Sequence, residues 1–151
     1  MTERLRAVFD TNVFVSAFLS RNPTSPTREL MQRWRDDEFA LLVSQAILEE
    51  VVEKLRERRI EDEQIFELLL TISHLAEWVD APPATAQPVV TADPDDYQIL
   101  ACAVAGEADF LVTYDPHFDS LNGVYGRIKI TRALPFLWAV HGDQPPDADI
   151  G

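Results

Sequence analysis

Short apolar runs alternate with longer amphipathic stretches along the chain. The short runs have the length and the β-branched and aromatic content of buried strands, and they cover 6–9, 39–44 and 110–113. The longer stretches repeat apolar residues at helical spacing, and they cover 12–20, 25–37, 45–59, 61–78, 96–105 and 132–142. A last strand, at the edge of the sheet, is predicted at 127–131. This alternation predicts an α/β sandwich with a mainly parallel central sheet.

Several residues mark the ends and inward faces of the predicted helices. Ser25 and Ser44 each stand where an N-cap is expected, and Pro26 suits the first position of a helix. Pro135 is expected to break or kink the last helix because proline lacks a backbone N–H. Two helices carry an apolar stripe that is expected to face the core: Ile47, Leu48, Val51, Val52 and Leu55 in one, and Ile65, Leu68, Leu69, Ile72 and Leu75 in the other.

Chain length and one Pro-rich segment bear on the domain organisation. With 151 residues, 46% of them hydrophobic, the chain is long enough for one domain and short for two. We interpret the Pro-rich segment 81–94 as a surface connection, with a short strand at Val89 and Val90, rather than as a domain boundary. A single domain is therefore predicted over 1–141, followed by a disordered acidic tail over 142–151.

Charge and cysteine content narrow the possible functions. The 13 basic and 26 acidic residues give a net charge of -13, which argues against a protein that binds nucleic acid through its overall charge. A nucleic-acid enzyme that uses metal cations is still compatible with this charge, because bound divalent ions dominate the local field. The single cysteine, Cys102, is expected to be a buried thiol. Because Asp10 splits the first apolar run, and none reaches the roughly 18 residues of a membrane span, we expect a soluble cytoplasmic protein.

Three acids stand where a parallel sheet would bring them together. Asp10 and Asp115 come at or near the carboxyl ends of two predicted strands, and Asp96 starts a buried helix. Ligands in such sheets gather at the carboxyl edge. Carboxylates held close together repel one another, so we expect a cation between them, and oxygen ligands favour Mg²⁺ or Mn²⁺. Each Asp taken alone also fits a helix N-cap or a turn residue.

The helix predicted at 45–59 offers a fourth acid. At about 100° per residue, Glu49 and Glu50 flank the apolar stripe on opposite sides while Glu53 points to solvent, so periodicity does not choose between the first two. Glu50 could equally form a surface pair with Lys54. The polar residues that would either orient the carboxylates or cap helices are Thr11, Asn12, Ser16 and Thr113. Metal-ligand spacing is absent from the three histidines, His74, His117 and His141.

Four segments in order, from about residue 6 to about residue 138, resemble PIN-domain ribonucleases: "VFDTNVFVSA", "LVSQAILEEVVEKL", "DPDDYQILACAVAGEADFLVTYD" and "ITRALPFL". The resemblance is strongest to the toxin components of toxin–antitoxin systems that are related to VapC. It implies a PIN-like three-layer α/β/α sandwich. The family's Ser followed six residues later by Glu corresponds to Ser44 and Glu50, so the resemblance selects Glu50.

The resemblance also implies an activity, a cofactor and partners. One or two Mg²⁺ or Mn²⁺ ions would serve the hydrolysis of RNA phosphodiester bonds, held by Asp10, Glu50, Asp96 and Asp115. Supporting roles would fall to Thr11, Asn12, Ser16 and Thr113. The implied partners are the RNA substrate, an antitoxin protein and a second copy of the chain in a homodimer. The acidic excess outside the site predicts weak affinity for RNA.

Two positions depart from the family pattern. Tyr114 replaces the small residue that often precedes the last acid, and it is expected to narrow the rim of the site. His117 stands where many relatives carry another acid, and Asp93 or Asp119 could partly replace that acid. The four main acids are all present, so we expect an active enzyme.

Two other functions fit parts of the pattern. One is a PIN-fold interaction module without catalysis, whose acids a partner occupies or blocks. The other is a phosphotransfer domain, which the residues disfavour. A phosphatase motif needs a second Asp two residues after the nucleophile, where this chain has Asn12, and a receiver domain needs a Lys that neither Lys54 nor Lys129 supplies.

Overall fold

Six strands and six α-helices lie in the part of the chain that the computed structural model describes, residues 4–81 and 94–142. The strands are β1 (Arg6–Phe9), β2 (Ala40–Val43), β3 (Glu77–Trp78), β4 (Phe110–Val112), β5 (Val124–Tyr125) and β6 (Ile128–Thr131). The helices are α1 (Thr11–Leu19), α2 (Pro26–Arg35), α3 (Gln45–Glu57), α4 (Asp62–Leu75), α5 (Pro94–Ala105) and α6 (Ala133–His141). A 3₁₀ helix spans Pro116–Leu121.

The strands form one sheet in the order β3-β2-β1-β4-β6-β5. Every neighbouring pair is parallel except β5 and β6, which confirms the prediction of a mainly parallel sheet. The chain builds the sheet outward from β1 in one direction and outward from β4 in the other. The strand order therefore reverses between β1 and β4, and in sheets of this kind the crevice at the carboxyl ends beside such a reversal is the usual binding site.

Helices cover both faces of this sheet. On one face the ring of Phe9 in β1 packs edge-on against Phe136 of α6, with centroids 6.4 Å apart. Leu42 of β2 is paired with Val8, the residue before Phe9, so its side chain points to the opposite face. There the end of α5 comes so near that a Cβ added to Gly106 would lie 2.7 Å from Leu42. The predicted three-layer arrangement is thus confirmed.

The predicted caps and most of the predicted stripe residues are confirmed. Ser25 accepts a hydrogen bond from the Arg28 backbone N–H at 3.4 Å, and Ser44 accepts one from Ile47 at 3.3 Å. The buried members of the two stripes are Ile47, Val51, Leu55, Ile65, Leu68 and Ile72. Leu75 is 48% exposed, contrary to prediction, because it is the last residue of α4, where the chain leaves the helix toward β3.

The helix predicted at 61–78 ends three residues early, at Leu75. Glu77 and Trp78 instead pair in parallel with β2, and the guanidinium of Arg6 in β1 binds the Glu77 carboxylate. This strand is two residues long, so no periodicity marks it. Its extended backbone depends on partners that are remote in sequence.

The prediction that 127–131 forms the edge of the sheet is wrong. β6 pairs with β4 on one side and, in antiparallel register, with β5 on the other. Tyr125 lies opposite Ile128, so Gly126 and Arg127 form a two-residue turn, and the φ of +60° at Gly126 is the conformation that glycine supplies in such hairpins.

The predicted break at Pro135 does not occur. Pro135 is the third residue of α6, which runs from Ala133 to His141 without interruption. Backbone N–H groups in the first turn of a helix have no acceptor within the helix, so a proline there removes no hydrogen bond.

Some predicted features lie outside the described residues. The strand expected at Val89 and Val90 falls in the range 82–93, and of the predicted tail only Gly142 is described, where it ends α6 with a φ of +75°. Among the helices that are described, none combines the length and apolarity needed to cross a membrane. Cys102 is a free, fully buried thiol, and burial raises its pKa to about 12.

We expect Phe136→Ala to lower the free energy of unfolding by about 3–5 kcal/mol, because it removes a fully buried ring that joins α6 to the sheet. Phe66→Ala is the matched control, since that ring is 59% exposed and its loss should change stability by less than about 0.5 kcal/mol. Urea denaturation followed by circular dichroism measures both changes. Equal losses in the two variants would contradict this description of the core.

Candidate active site

Two neighbouring strands deliver polar side chains to the carboxyl edge of the sheet. Asp10 follows β1, and its backbone N–H donates to the Val112 carbonyl of β4 at 2.9 Å, which continues the parallel pairing by one residue. The Thr113 hydroxyl then donates to Oδ2 of Asp10 at 2.7 Å and accepts the backbone N–H of Asp115 at 2.9 Å. The Thr113 hydroxyl therefore positions both Asp10 and Asp115.

A third carboxylate enters from the start of α5. Asp96 is buried, with 4% of the whole residue exposed, and its Oδ2 lies 3.0 Å from Nδ1 of His117. The same nitrogen lies 3.4 Å from Oδ1 of Asp115. One potential ligand atom from each of Asp96, Asp115 and His117 falls within 4.8 Å of the others.

The carboxylate of Asp10 is held in an unfavourable electrostatic environment. Burial raises its pKa above the ordinary value of 3.8, and the nearby charges of Asp115 and Asp96 raise it further. The hydrogen bonds from Thr113 and from the Thr11 backbone act in the opposite direction without reversing the shift. Asp10, Asp96 and Asp115 therefore lie close enough for their charges to interact. These effects also identify a place where a cation would relieve both repulsion and lost solvation.

Helix capping explains one of these acids and leaves another unexplained. Asp10 occupies the N-cap position of α1, but its side chain makes no capping hydrogen bond. Asp115 does cap the 3₁₀ helix, because its Oδ1 accepts the backbone N–H of His117 at 2.9 Å. Helix capping therefore does not explain why the Asp10 carboxylate is buried at this position.

The side chains of α3 separate the two glutamates that periodicity left tied. Glu50 is half-buried and its Oε2 atom is fully buried, whereas Glu49 is exposed and accepts a hydrogen bond from Gln45. Lys54, the suggested surface partner of Glu50, forms an ion pair with Glu57 at 3.8 Å. α3 starts at the carboxyl end of β2, the strand beside β1, and Glu50 is the more buried of its two candidate glutamates.

The predicted supporting residues divide into two groups. Thr113 contacts the acids directly, and Thr11 is buried beside Asp10, with no hydrogen-bond partner for its hydroxyl in the described part of the chain. Asn12 is exposed on α1, and the Ser16 hydroxyl lies 3.2 Å from that of Thr27, where it links α1 to α2. Neither side chain is placed against the acids by these contacts.

The residues around the last acid also differ in their placement. Asp119 is exposed on the 3₁₀ helix, and Asp93 lies outside the described residues. The Tyr114 ring is 40% exposed, and the guanidinium of Arg132 lies 5.9 Å from its centroid. Tyr114 and Arg132 line a 270 Å³ cavity beside Asp115.

His117 is the member of this cluster that histidine spacing did not reveal. A local signal was present in the sequence Asp115-Pro116-His117. With Asp115 at the N-cap and Pro116 at the first helical position, the backbone N–H of His117 is expected to meet the capping carboxylate. The contact of the imidazole with Asp96 depends on the position of α5, so the local sequence could not predict it.

Taken together, the fold and the cluster define an α/β protein with an acidic site at the point where the strand order reverses. A family model described as PIN domain matches residues 6–117. This chain belongs to the PIN domain family. No curated protein matches it.

One solved structure similar to this fold is a chain in the crystal structure of VapBC2 from Rickettsia felis bound to a DNA fragment from the promoter. The sequences are 16% identical, the TM-score is 0.57, and the match covers 83% of this chain and 98% of that chain. At this identity the likeness concerns the fold alone.

The donor set fits a divalent cation. Carboxylate oxygens are the ligands that Mg²⁺ and Mn²⁺ prefer, and the group formed by Asp96, Asp115 and His117 has the dimensions of a single coordination site. The pKa of Asp10 is raised, as expected for a buried carboxylate whose negative charge a bound cation would compensate.

We expect Asp10→Asn to stabilise the metal-free protein at neutral pH. Because the folded pKa of Asp10 is raised, its contribution to the free energy of unfolding falls as the pH rises from 3.8 through that folded value. Asn removes this penalty and can still accept the Thr113 hydrogen bond. Thermal unfolding in EDTA should give a higher Tm than wild type at pH 7, by about 2–4 °C per kcal/mol.

The difference in Tm between the variant and wild type should shrink as the pH is lowered toward 4. Asp80→Asn, at an exposed position, is the control and should leave Tm nearly unchanged. A lower Tm for Asp10→Asn at pH 7 would contradict the proposed electrostatic penalty.

Proposed function

We propose that this chain is a metal-dependent ribonuclease that hydrolyses RNA phosphodiester bonds with Mg²⁺ or Mn²⁺. The observation that carries the proposal is the convergence of Asp10, Asp96 and Asp115 at the carboxyl edge of the sheet in a PIN-domain chain. Two of these acids are almost fully buried, at 6% and 4% exposure for Asp10 and Asp96. Burying a carboxylate costs solvation free energy, so two carboxylates held this deep support a role that requires their charge.

Each residue of the site has a distinct task in this proposal. Asp10 and Asp96 are the principal ligands because they are the most buried, while Asp115 and Glu50 bind a second ion or orient the attacking water. Thr113 keeps Asp10 and Asp115 in register through its two hydrogen bonds. When bound, the divalent ions would activate the water and stabilise the leaving oxygen.

The net charge of -13 limits how the substrate is attracted. A polyanion is repelled by the chain as a whole, so binding depends on charge brought to the site by the cations. We therefore expect weak affinity for RNA when metal is absent, with cleavage that depends on the concentration of divalent ion.

Two substitutions test the catalytic proposal. Asp96→Asn and Glu50→Gln should each lower the rate of cleavage of a single-stranded RNA in Mn²⁺ by about 100-fold or more, because removal of even an outer-shell partner costs 10–100-fold. The rate is measured with a fluorescently labelled RNA and purified protein. Both changes preserve side-chain volume, so the fold should be retained.

Glu49→Gln is the matched control for Glu50→Gln, since Glu49 is the exposed neighbour on the same helix, and its rate should equal that of wild type. Cleavage that survives Asp96→Asn unchanged would overturn the assignment. A wild-type protein that cleaves no RNA would instead favour the interaction module whose acids a partner occupies.

We further propose that the chain is the toxin of a toxin–antitoxin pair, acts in the cytoplasm, forms a homodimer and is held inactive by an antitoxin. Support comes from PIN membership and from the sequence resemblance to VapC-related toxins. The similar Rickettsia felis structure is a VapBC2 complex bound to promoter DNA, which gives the kind of partner to look for.

Expression in a bacterial host tests this role. Induced wild-type protein should arrest growth, and Asp96→Asn should not, because arrest requires the acid site. Co-expression of a cognate antitoxin should restore growth. Equal growth of cells that express wild type and Asp96→Asn would contradict the toxin role while leaving RNA cleavage in vitro as a separate result.

A further inference from the structure

The imidazole of His117 lies against two carboxylates that come from different parts of the chain. Its Nδ1 atom is 3.0 Å from Oδ2 of Asp96 and 3.4 Å from Oδ1 of Asp115. Asp96 belongs to α5, whereas His117 and Asp115 belong to the turn that begins the 3₁₀ helix. The approach of these three side chains is therefore a tertiary contact as well as a local one.

Local structure holds the histidine in this position. Asp115 accepts the backbone N–H of His117 at 2.9 Å, and Pro116 between them restricts the backbone of the turn. The Thr113 hydroxyl in turn accepts the backbone N–H of Asp115. The backbone that carries the imidazole is thus held by the same series of hydrogen bonds that positions Asp10.

Exposure decreases from the histidine inward. The side chain of His117 is 53% exposed, that of Asp115 is 18% exposed and that of Asp96 is 6% exposed. An ion arriving from solvent would therefore meet the imidazole first and the buried carboxylate last. The three donors form a short path from the surface to the acid cluster.

The position of Nδ1 suits a hydrogen bond to Asp96, and it also suits an ion shared with both carboxylates. One protonated Nδ1 atom carries a single hydrogen, yet two carboxylate oxygens face it. A divalent ion among the three donors would bind both carboxylates and also the Nδ1 lone pair of a neutral imidazole that carries its proton on Nε2. One potential ligand atom from each of the three residues already lies within 4.8 Å of the other two, so little movement is needed.

We propose that His117 is a direct ligand, through Nδ1, of the divalent ion in this site, and that it makes the site select a first-row transition ion such as Mn²⁺ over Mg²⁺. This inference rests on the proposed function, because it concerns the same metal site. Mg²⁺ is a hard ion that favours oxygen ligands, whereas transition ions accept imidazole nitrogen readily. A site with oxygen and nitrogen ligands therefore binds Mn²⁺ more tightly than Mg²⁺. A site with carboxylate ligands alone would show a smaller difference in affinity.

Metal binding to the full chain tests this selection. Isothermal titration of the purified protein with MnCl₂ alone and with MgCl₂ alone should give a Kd for Mn²⁺ that is lower by about tenfold or more. His117→Ala should weaken Mn²⁺ binding by about tenfold or more, the scale on which ligand-sphere changes act. The same variant should change Mg²⁺ binding much less, so the two affinities approach each other.

Two further variants sharpen the comparison. His117→Asp restores an all-carboxylate set and should shift the preference toward Mg²⁺. His74→Ala removes an exposed histidine on α4 and should leave both affinities unchanged. Circular dichroism checks that every variant is folded.

A spectroscopic measurement identifies the ligand without relying on affinity or activity. Electron spin echo spectra of the Mn²⁺-loaded protein should contain the ¹⁴N modulation of a coordinated imidazole in wild type and in His74→Ala, and they should lose it in His117→Ala. Bound Mn²⁺ without this modulation, together with an unchanged preference in His117→Ala, would overturn the inference while the proposed metal site stands. Failure of wild type to bind either ion would overturn both.

Discussion

The parallel pairing of β1 with β4 is the constraint on which the acid site depends. Phe9 lies opposite Val112, and the next residues along, Asp10 and Thr113, meet through a hydroxyl-to-carboxylate hydrogen bond of 2.7 Å. A slip of one residue would turn every side chain of a strand to the other face, so neither the core nor the site would survive it. The strand register that buries the apolar side chains thus also sets the positions of Asp10 and Thr113. Burial of the Phe9 ring holds Asp10, the next residue, in place.

The acids of the site lower the free energy of unfolding that the packed core provides. Burial and two neighbouring acids raise the pKa of Asp10, so the ionised form is disfavoured in the folded protein without a cation. Phe9, Phe39 and Phe136 pack with ring centroids 4.9 to 6.4 Å apart on the face of the sheet to which Phe9 points. A rigid aromatic layer of this kind can hold charged groups close together, because interiors packed to native density resist the movement that would separate the charges.

The segment from Thr113 to His117 joins local and tertiary constraints. Asp115 is both a helix cap and a member of the acid cluster, so its capping role and its proposed metal role do not exclude each other. The cap holds the backbone of His117, and Asp96 of α5 lies 3.0 Å from the imidazole. Family resemblance identified the acids and treated His117 as a departure, whereas the geometry makes it part of the same group.

The sequence by itself determined the elements that bury one regular face and the acids that lie at their ends. The stripe of α3, the caps at Ser25 and Ser44, and the convergence of Asp10, Asp96 and Asp115 follow from periodicity and from the common direction of parallel strands. Only the tertiary structure decided the short strands Glu77–Trp78 and Val124–Tyr125 and the burial of Glu50 rather than Glu49. It alone also placed His117 between two acids. The physical reason is that helix and strand periods record which face is buried, whereas two-residue strands and side-chain contacts depend on partners remote along the chain.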